Sequence, residues 1–177
     1  MTSVAYRWDV ESFLRAHDLG AFDGHVELVE GEVWQVGIGD WHGLVTGDVF
    51  EVLVGQGRLT SSTLPSDRSL PDPDVWVQRR GAEPAYAISP RLSAWRTEDV
   101  LLVVEVSDET RHEDLTIKAG LYARAGWTRY WVVARDGVHD HTEPSLDGYG
   151  SARLHGPADD VTLPDGTVVP VSRLLDV

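Results

Sequence analysis

One nearly continuous apolar segment of the chain reads Asp99-Val100-Leu101-Leu102-Val103-Val104-Glu105-Val106, and Glu105 is the only charge that interrupts it. An apolar run of this length without polar alternation predicts a strand that is buried on both faces of a sheet. A carboxylate in such a strand loses its hydration, so it has to be paired, protonated or bound to a metal. Glu105 is therefore the first candidate functional residue.

Two more charged residues are expected close to Glu105. Asp74 opens a second apolar strand directly after a proline-rich turn, and Lys118 lies on the apolar side of the helix that follows Glu105. One interpretation of Lys118 is a snorkelling side chain that pairs with Asp114, four residues earlier. The other interpretation is a functional site that Lys118 forms with the two acids. We favour this interpretation, because charged groups cluster inside proteins mainly at such sites.

The composition is that of an ordinary globular protein. The 177 residues are 42% hydrophobic and 25% charged, which predicts one domain over residues 1–177. The absence of cysteine excludes disulfides, thiolate zinc sites and cysteine nucleophiles. The apolar runs are too short for a membrane helix, and the N-terminus shows no signal pattern. A cytoplasmic enzyme or binding module fits these features.

The net charge of −14 limits how the chain can bind nucleic acid. Proteins that bind mainly by neutralising phosphates are usually basic. Any nucleic acid is therefore expected to bind locally, through a metal or with a partner that supplies positive charge. Most of the 29 acids are expected only to keep the protein soluble.

The patterning predicts a mixed sheet flanked by helices, with extra β hairpins at both ends. Helices are expected at 10–17, 41–54 and 111–125, the last with a capping box formed by Thr110 and Glu113. Strands or hairpins are expected at 25–36, 58–64, 74–78, 100–106, 129–134, 138–142, 149–155 and about 164–166, and a variable loop at 79–97. A strand, a helix and a strand in succession predict a right-handed parallel crossover. The fold class is α/β or α+β.

Asp74, Glu105 and Lys118 together predict phosphodiester hydrolysis. Two carboxylates at neighbouring strand ends suit Mg²⁺ or Mn²⁺, which take oxygen ligands and bind substrate phosphates. Such an ion polarises a phosphate and lowers the pKa of a bound water. A nearby lysine can orient that water or stabilise the charge that grows on the phosphate.

The order and spacing of several motifs resemble a known family. The motifs are Glu27-Leu28-Val29-Glu30-Gly31-Glu32, His42, Pro73-Asp74-Val75, Val103-Val104-Glu105-Val106-Ser107, Asp114 with Lys118, Tyr122-Ala123-Arg124-Ala125-Gly126 and Tyr130-Trp131-Val132-Val133. Over residues 8–155 the chain resembles the bacterial "putative restriction endonuclease" domains of the PD-(D/E)xK nuclease superfamily. The resemblance implies a restriction-endonuclease-like core. The leading hypothesis is a metal-dependent endonuclease that acts on DNA, and the sequence leaves the choice between DNA and RNA open.

The resemblance also implies a set of metal ligands. Asp74 and Glu105 would be two of them, and an acid of the first motif, Glu30, would be a third. Glu27 and Glu32 flank Glu30 and would replace it if the register differs by a residue or two.

The chain departs from the superfamily pattern at one position, and the role of a second matching position is open. The superfamily lysine lies two residues after the glutamate, where this chain has Ser107, so the resemblance passes that role to Lys118. His42 matches a histidine of the family near the start of its helix, and two roles are equally expected, contact with the site or a surface or capping role. The departure at Ser107 leaves a second interpretation open, a catalytically degenerate module of the same fold that binds a protein or nucleic-acid partner.

Other polar and aromatic residues are expected to be structural. His139, His141 and Glu143 alternate on one strand, a spacing that can bind a transition metal and would suit a sugar- or small-acid-binding β protein. An exposed polar strand is the favoured interpretation. Three tryptophans on strands are expected in the core or in a homodimer contact rather than stacked on bases, namely Trp34, Trp76 and Trp131.

Overall fold

The computed structural model describes residues 4–37 and 39–175, so residues 1–3, 38 and 176–177 of the predicted domain lie outside the described residues. The helices are α1 (Val10–Asp18), α2 (Asp40–Leu53), α3 (Arg111–Glu113) and α4 (Ala119–Ala125), with a π-helical segment, Asp114–Lys118, between the last two. Short 3₁₀ turns cover Thr97–Asp99 and Val171–Leu174. None of the described helices has the length and apolar character needed to cross a membrane.

The strands are, in chain order, β1 (Val26–Val29), β2 (Glu32–Gln35), β3 (Arg58–Thr60), β4 (Val75–Gln78), β5 (Tyr86–Ser89), β6 (Leu92–Ala94), β7 (Val100–Ser107), β8 (Arg129–Ala134), β9 (Gly137–Ser145), β10 (Gly148–His155), β11 (Asp160–Thr162) and β12 (Val168–Pro170). A six-stranded sheet has the order β10-β9-β8-β7-β4-β3. In it β7 and β8 are parallel, and the other neighbours are antiparallel. This confirms the predicted mixed sheet and its parallel crossover, which runs through α3 and α4.

The alternation of side chains along β7 explains where Glu105 points. Leu102, Val104 and Val106 pack in the cluster that includes the buried face of α2. Val103 packs on the other face, against residues of α4. Because successive strand residues point to opposite faces, Glu105 shares the face of Val103 and is directed at the helix that carries Lys118.

Two local predictions are wrong. Residues 79–97 contain a hairpin of β5 and β6, whose exposed first strand lacks the apolar alternation that signals a strand. The capping box does not form, because Thr110 has φ −91° and ψ 13° instead of the extended backbone of an N-cap residue, and its hydroxyl makes no bond to the helix amides. The hydroxyl donates to Asp114 Oδ2 at 2.7 Å instead.

Candidate functional site

Glu105 is buried and receives two hydrogen bonds on one oxygen. Lys118 Nζ donates to Glu105 Oε1 at 3.0 Å, and the Tyr122 hydroxyl donates to the same atom at 2.7 Å. This confirms the prediction that Lys118 points towards Glu105. Among the described residues, no group donates a hydrogen bond to the second oxygen, Oε2. The two donors fix the carboxylate and leave Oε2 available for another ligand.

Lys118 is surrounded by three buried carboxylates. Its Nζ lies 2.9 Å from Glu27 Oε1, 3.0 Å from Glu105 Oε1 and 3.8 Å from Asp114 Oδ1. Burial disfavours the charge on the lysine, but the three negative groups outweigh it and raise the pKa of Lys118 above its usual range. Lys118 is therefore a permanent cation at the centre of the cluster.

The π-helical segment places Asp114 and Lys118 on the same side. The Ala119 amide donates to the Asp114 carbonyl, a five-residue step, and the Tyr130 hydroxyl donates to the same oxygen at 3.0 Å. A π-helical turn contains more residues than an α-helical turn, so side chains four residues apart point in more nearly the same direction. Such turns are frequent at functional sites. The sequence predicted a regular α-helix here, because no residue type marks a π-turn.

Asp74 precedes β4 and is tied to the strand that carries Glu105. Its Oδ2 accepts the Val106 amide at 2.7 Å, and its Oδ1 lies 2.9 Å from Nε2 of His42. The hydrogen bond to Asp74 raises the pKa of His42, although partial burial opposes the shift. Nδ1 of His42 is buried without a partner among the described residues. His42 thus contacts an acid of the cluster, one of the two alternatives that the sequence left open.

The structure corrects the placement of Glu30. Glu30 lies in the β1–β2 turn with a φ of 50°, and its carboxylate is 49% exposed and paired with Arg124. Glu27 is buried instead, where Oε1 contacts Lys118 and Oε2 accepts the Asp72 amide at 3.0 Å. Glu27 is therefore the acid of the first motif that joins the cluster. The other alternative, Glu32, pairs with Arg7 at the surface.

These groups line one pocket with a large excess of negative charge. Its walls carry one lysine, Lys118, and six carboxylates, namely Glu27, Asp72, Asp74, Glu105, Glu113 and Asp114. Burial raises the pKa of Glu105 and of Asp114, and Lys118 opposes both shifts. Since carboxylates this close repel one another, the pocket favours a cation.

The donors fit a hard divalent cation. Mg²⁺ and Mn²⁺ prefer carboxylate oxygens and water, and Mg²⁺ is usually held by only one or two protein carboxylates. Within the described part of the chain, no three His, Cys, Asp or Glu side chains are grouped closely enough to enclose an ion by themselves. Asp74 and Glu105 are the donors that this chemistry would use, with waters and a substrate phosphate as the remaining ligands.

The other candidate groups have protein neighbours. His139 Nε2 lies 3.2 Å from Asp136 Oδ1, and His141 packs against the rings of Tyr130 and Tyr149. The two histidines are thus held by protein contacts. Two of the three tryptophans lie in the core as predicted, namely Trp76 and Trp131.

Sequence reasoning assigned no site role to Tyr122 and treated Asp114 only as a partner of Lys118. One signal for both was present. Asp114, Lys118 and Tyr122 follow one another at four-residue intervals, so they share one side of a helix. The tyrosine hydroxyl is a donor, and Glu105 is the acceptor that this helix side covers.

Comparisons with known proteins agree with this fold. No curated protein matches the chain significantly. A solved structure described as a putative nuclease belonging to DUF820, from Anabaena variabilis, is similar with a TM-score of 0.68 and 13% identity, over 96% of this chain and 98% of that one. The model of the Uma2 family, described as "Putative restriction endonuclease", matches residues 10–173. Because that match covers nearly the whole chain, the protein belongs to the Uma2 family and is a nuclease-type protein.

Proposed function

We propose that this chain is a metal-dependent endonuclease that hydrolyses phosphodiester bonds in DNA. The observation that carries the proposal is the pocket at the ends of β4 and β7, whose walls carry six carboxylates and one buried lysine. The family to which the chain belongs supports nuclease chemistry. Clustered buried charges of this kind are typical of catalytic sites.

Asp74 and Glu105 would hold Mg²⁺ or Mn²⁺, as the two acids of a PD-(D/E)xK-type site. When bound, the ion supplies Lewis-acid polarisation of the scissile phosphate. The Val106 amide and His42 orient Asp74, and Lys118 and Tyr122 orient Glu105. Glu30 has no part in this proposal, because its carboxylate pairs with Arg124 at the surface.

Lys118 and His42 act through the carboxylates that they contact. Lys118 keeps its proton on Nζ, and its positive charge offsets the negative charge that a phosphate brings into the pocket. His42 holds a proton on Nε2, because the ionised Asp74 carboxylate can only accept a hydrogen bond. Both side chains are therefore expected to change the rate of cleavage without contacting the scissile bond.

The test measures cleavage and metal binding on the same variants. Supercoiled plasmid, single-stranded DNA and RNA are incubated with the protein in Mn²⁺, in Mg²⁺ and in a chelator, and calorimetry measures Mn²⁺ binding. The variants are Asp74→Asn, Glu105→Gln and Lys118→Met. Glu30→Gln is the matched control, because Glu30 is an acid of the same motif that lies outside the pocket.

We expect DNA cleavage that requires the divalent ion. Asp74→Asn and Glu105→Gln should lose both cleavage and metal binding, Lys118→Met should lose mainly cleavage, and the Glu30 variant should match the wild type. Cleavage that survives in Asp74→Asn and Glu105→Gln would rule out this site. Cleavage of RNA alone would correct the substrate.

A degenerate module of the same fold is the second candidate function. The observation that favours it is that Asp74 already has both oxygens engaged, while Lys118 is held by three acids. A module of this kind would bind neither Mn²⁺ nor Mg²⁺ at the pocket and would cleave no nucleic acid. The same calorimetric titration separates the two functions.

A further inference from the structure

The cationic side chains of this chain fall into two groups. Of the 15 lysines and arginines, nine lie within 4.0 Å of an acidic group. The other six have no such partner among the described residues, and all six are exposed arginines, namely Arg58, Arg68, Arg80, Arg91, Arg96 and Arg153. Five of these six fall within residues 58–96. Unpaired arginines in a chain of net charge −14 are thus concentrated in one part of it.

The backbone places three of the unpaired arginines at one end of the central sheet. Arg58 begins β3 and is the register partner of Gln78, which lies two residues before Arg80. The backbone of Arg79, between them, donates to Asp99 O at 2.8 Å, and the Asp99 amide donates to Arg96 O at 3.1 Å. We call Arg58, Arg80 and Arg96 the arginine end of the sheet.

The segment that carries Arg80 and Arg96 contains more arginines than acids. Residues 75–96 contain four arginines and one acid, Glu83. Nearby, Asp99 is paired with Arg79, and Glu98 is the other acid of the adjoining 3₁₀ turn. The overall negative field repels a polyanion, so a nucleic acid has to be held by a local positive surface. Arginine is well suited to this, because its planar guanidinium matches phosphate oxygens.

The arginine end and the acidic pocket lie at opposite ends of β4. Asp74 precedes this strand, and Arg80 follows it, six residues later. Six extended residues span at most about 20 Å. Phosphates along one strand of B-form DNA are spaced at about 3.4 Å, so about six nucleotides cover that distance.

We propose that the arginine end binds the phosphate backbone of the nucleic acid whose bond is cleaved in the pocket. This inference rests on the proposed function, because it takes the same substrate. Arg58, Arg80 and Arg96 hold the strand about six nucleotides from the scissile phosphate. Substrates long enough to reach the arginine end bind more tightly than short ones, and their binding depends more strongly on salt.

The experiment compares two triple variants with the same net charge. One carries Arg58→Gln, Arg80→Gln and Arg96→Gln, and the control carries Arg68→Gln, Arg91→Gln and Arg153→Gln, the other three unpaired arginines. Fluorescence anisotropy measures binding to labelled single strands of 4 and 20 nucleotides and to a 20-base-pair duplex, without metal and over a range of salt concentrations. Circular dichroism and sedimentation velocity check the fold and the oligomeric state of each variant.

The first variant should bind the long DNA roughly tenfold or more weakly than the control, and the slope of log K against log salt should fall by about 2–3 for three lost contacts. The 4-nucleotide strand should bind both variants equally. Equal weakening by both variants would overturn the inference, as would failure of the wild type to bind long DNA at low salt. A loss of self-association in the first variant alone would assign the arginine end to a contact between copies and would also overturn it.

The outcome is separable from that of the proposed function. Binding that depends on the arginine end in a protein that cleaves nothing would leave the inference standing and remove the nuclease proposal. Metal-dependent cleavage of long DNA that is unchanged in the first variant would do the reverse.

Discussion

Lys118 offsets part of the negative charge of a buried cluster, so its removal has a clear energetic consequence. Its ammonium group is the counter-ion of Glu27, Glu105 and Asp114. Removing one partner of a buried ion pair leaves an uncompensated charge and typically costs about 3–5 kcal/mol. We expect Lys118→Met to lower the free energy of unfolding by that amount in urea denaturation at pH 7.

A double variant provides the control for this prediction. The change Lys118→Met leaves three carboxylates without their counter-ion. Adding Glu105→Gln removes one of these three negative charges. The double variant should recover part of the lost stability, which a double-mutant cycle would measure. A loss below about 1 kcal/mol in the single variant, the range of a surface pair, would show that the cluster is hydrated.

Glu27 and Glu30 are three residues apart in the sequence, and substitutions at the two positions are expected to differ in their effects on stability and cleavage. Glu27 is buried and bonded to Lys118 and to the Asp72 amide, whereas Glu30 makes an exposed pair with Arg124. Glu27→Gln should lower both stability and cleavage. Glu30→Gln should change the free energy of unfolding by less than about 1 kcal/mol, as surface pairs do. Thermal melting and plasmid cleavage would measure both, and similar behaviour of the two variants would contradict this prediction.

His42 and His25 form a matched pair of His–Asp contacts. His42 Nε2 lies 2.9 Å from Asp74 Oδ1, and the half-exposed His25 lies 3.0 Å from Asp72 Oδ2. A histidine that orients a metal-ligating carboxylate typically contributes 10–100-fold to metal affinity or activity. We expect His42→Ala to weaken Mn²⁺ binding by about that factor and His25→Ala to leave it within about twofold. Equal effects of the two variants in calorimetry would remove the special role of His42.

At the scale of secondary-structure elements, long buried strands were the most predictable and short exposed ones the least. The apolar run of β7 predicted its burial, and the succession of strand, helix and strand predicted its parallel crossover to β8. The β5–β6 hairpin has no such pattern, so its sequence could not be told from a loop. The π-helical segment depends on tertiary contacts such as Tyr130 to the Asp114 carbonyl, which no local sequence rule contains.

The residues of the candidate site differ in the same way. Those marked by a strand or helix pattern were predictable, and those placed by local geometry were not. Asp74, Glu105 and Lys118 could be found, because each puts a charge on an apolar strand or helix face. The choice between Glu27 and Glu30 depended on the strand register. The Glu30-Gly31 turn was the available signal, since a turn residue points away from the sheet.

Strand β9 carries a histidine whose titration should affect stability. His141 is buried against Tyr130 and Tyr149, and burial, with a contribution from His139, lowers its pKa below 6.5. The unfolded chain therefore takes up the proton first as the pH falls below 6.5, so this histidine makes the folded state less stable at acid pH.

We expect His141→Phe to lose less stability than the wild type as the pH falls below 6.5. The phenyl ring keeps the packing on both tyrosines and removes the proton-binding site. The comparison between variants cancels the general effect of the acidic net charge. His112→Gln, at an exposed position, should follow the wild type in the same urea titrations. Parallel curves for His141→Phe and wild type would contradict the assignment.

At the scale of the whole molecule, the acidic excess is expected to make the protein sensitive to divalent cations. With a net charge of −14, the negative groups of the folded chain repel one another, and six carboxylates and one lysine line the pocket. An ion that binds the folded state alone stabilises it by about 2.7 kcal/mol at a concentration 100 times its dissociation constant. Binding at the pocket should therefore appear as a rise in the melting temperature.

We expect millimolar Mn²⁺ to raise the melting temperature of the wild type well beyond the effect of NaCl at equal ionic strength, and a chelator to reverse it. The difference between the two salts should vanish in Asp74→Asn and in Glu105→Gln, because each removes one proposed ligand. Glu30→Gln loses one negative charge at the surface and should keep the response. If the Asp74 and Glu105 variants respond as the wild type does, the stabilisation is general screening of the acidic surface. The pocket would then not be a divalent-cation site.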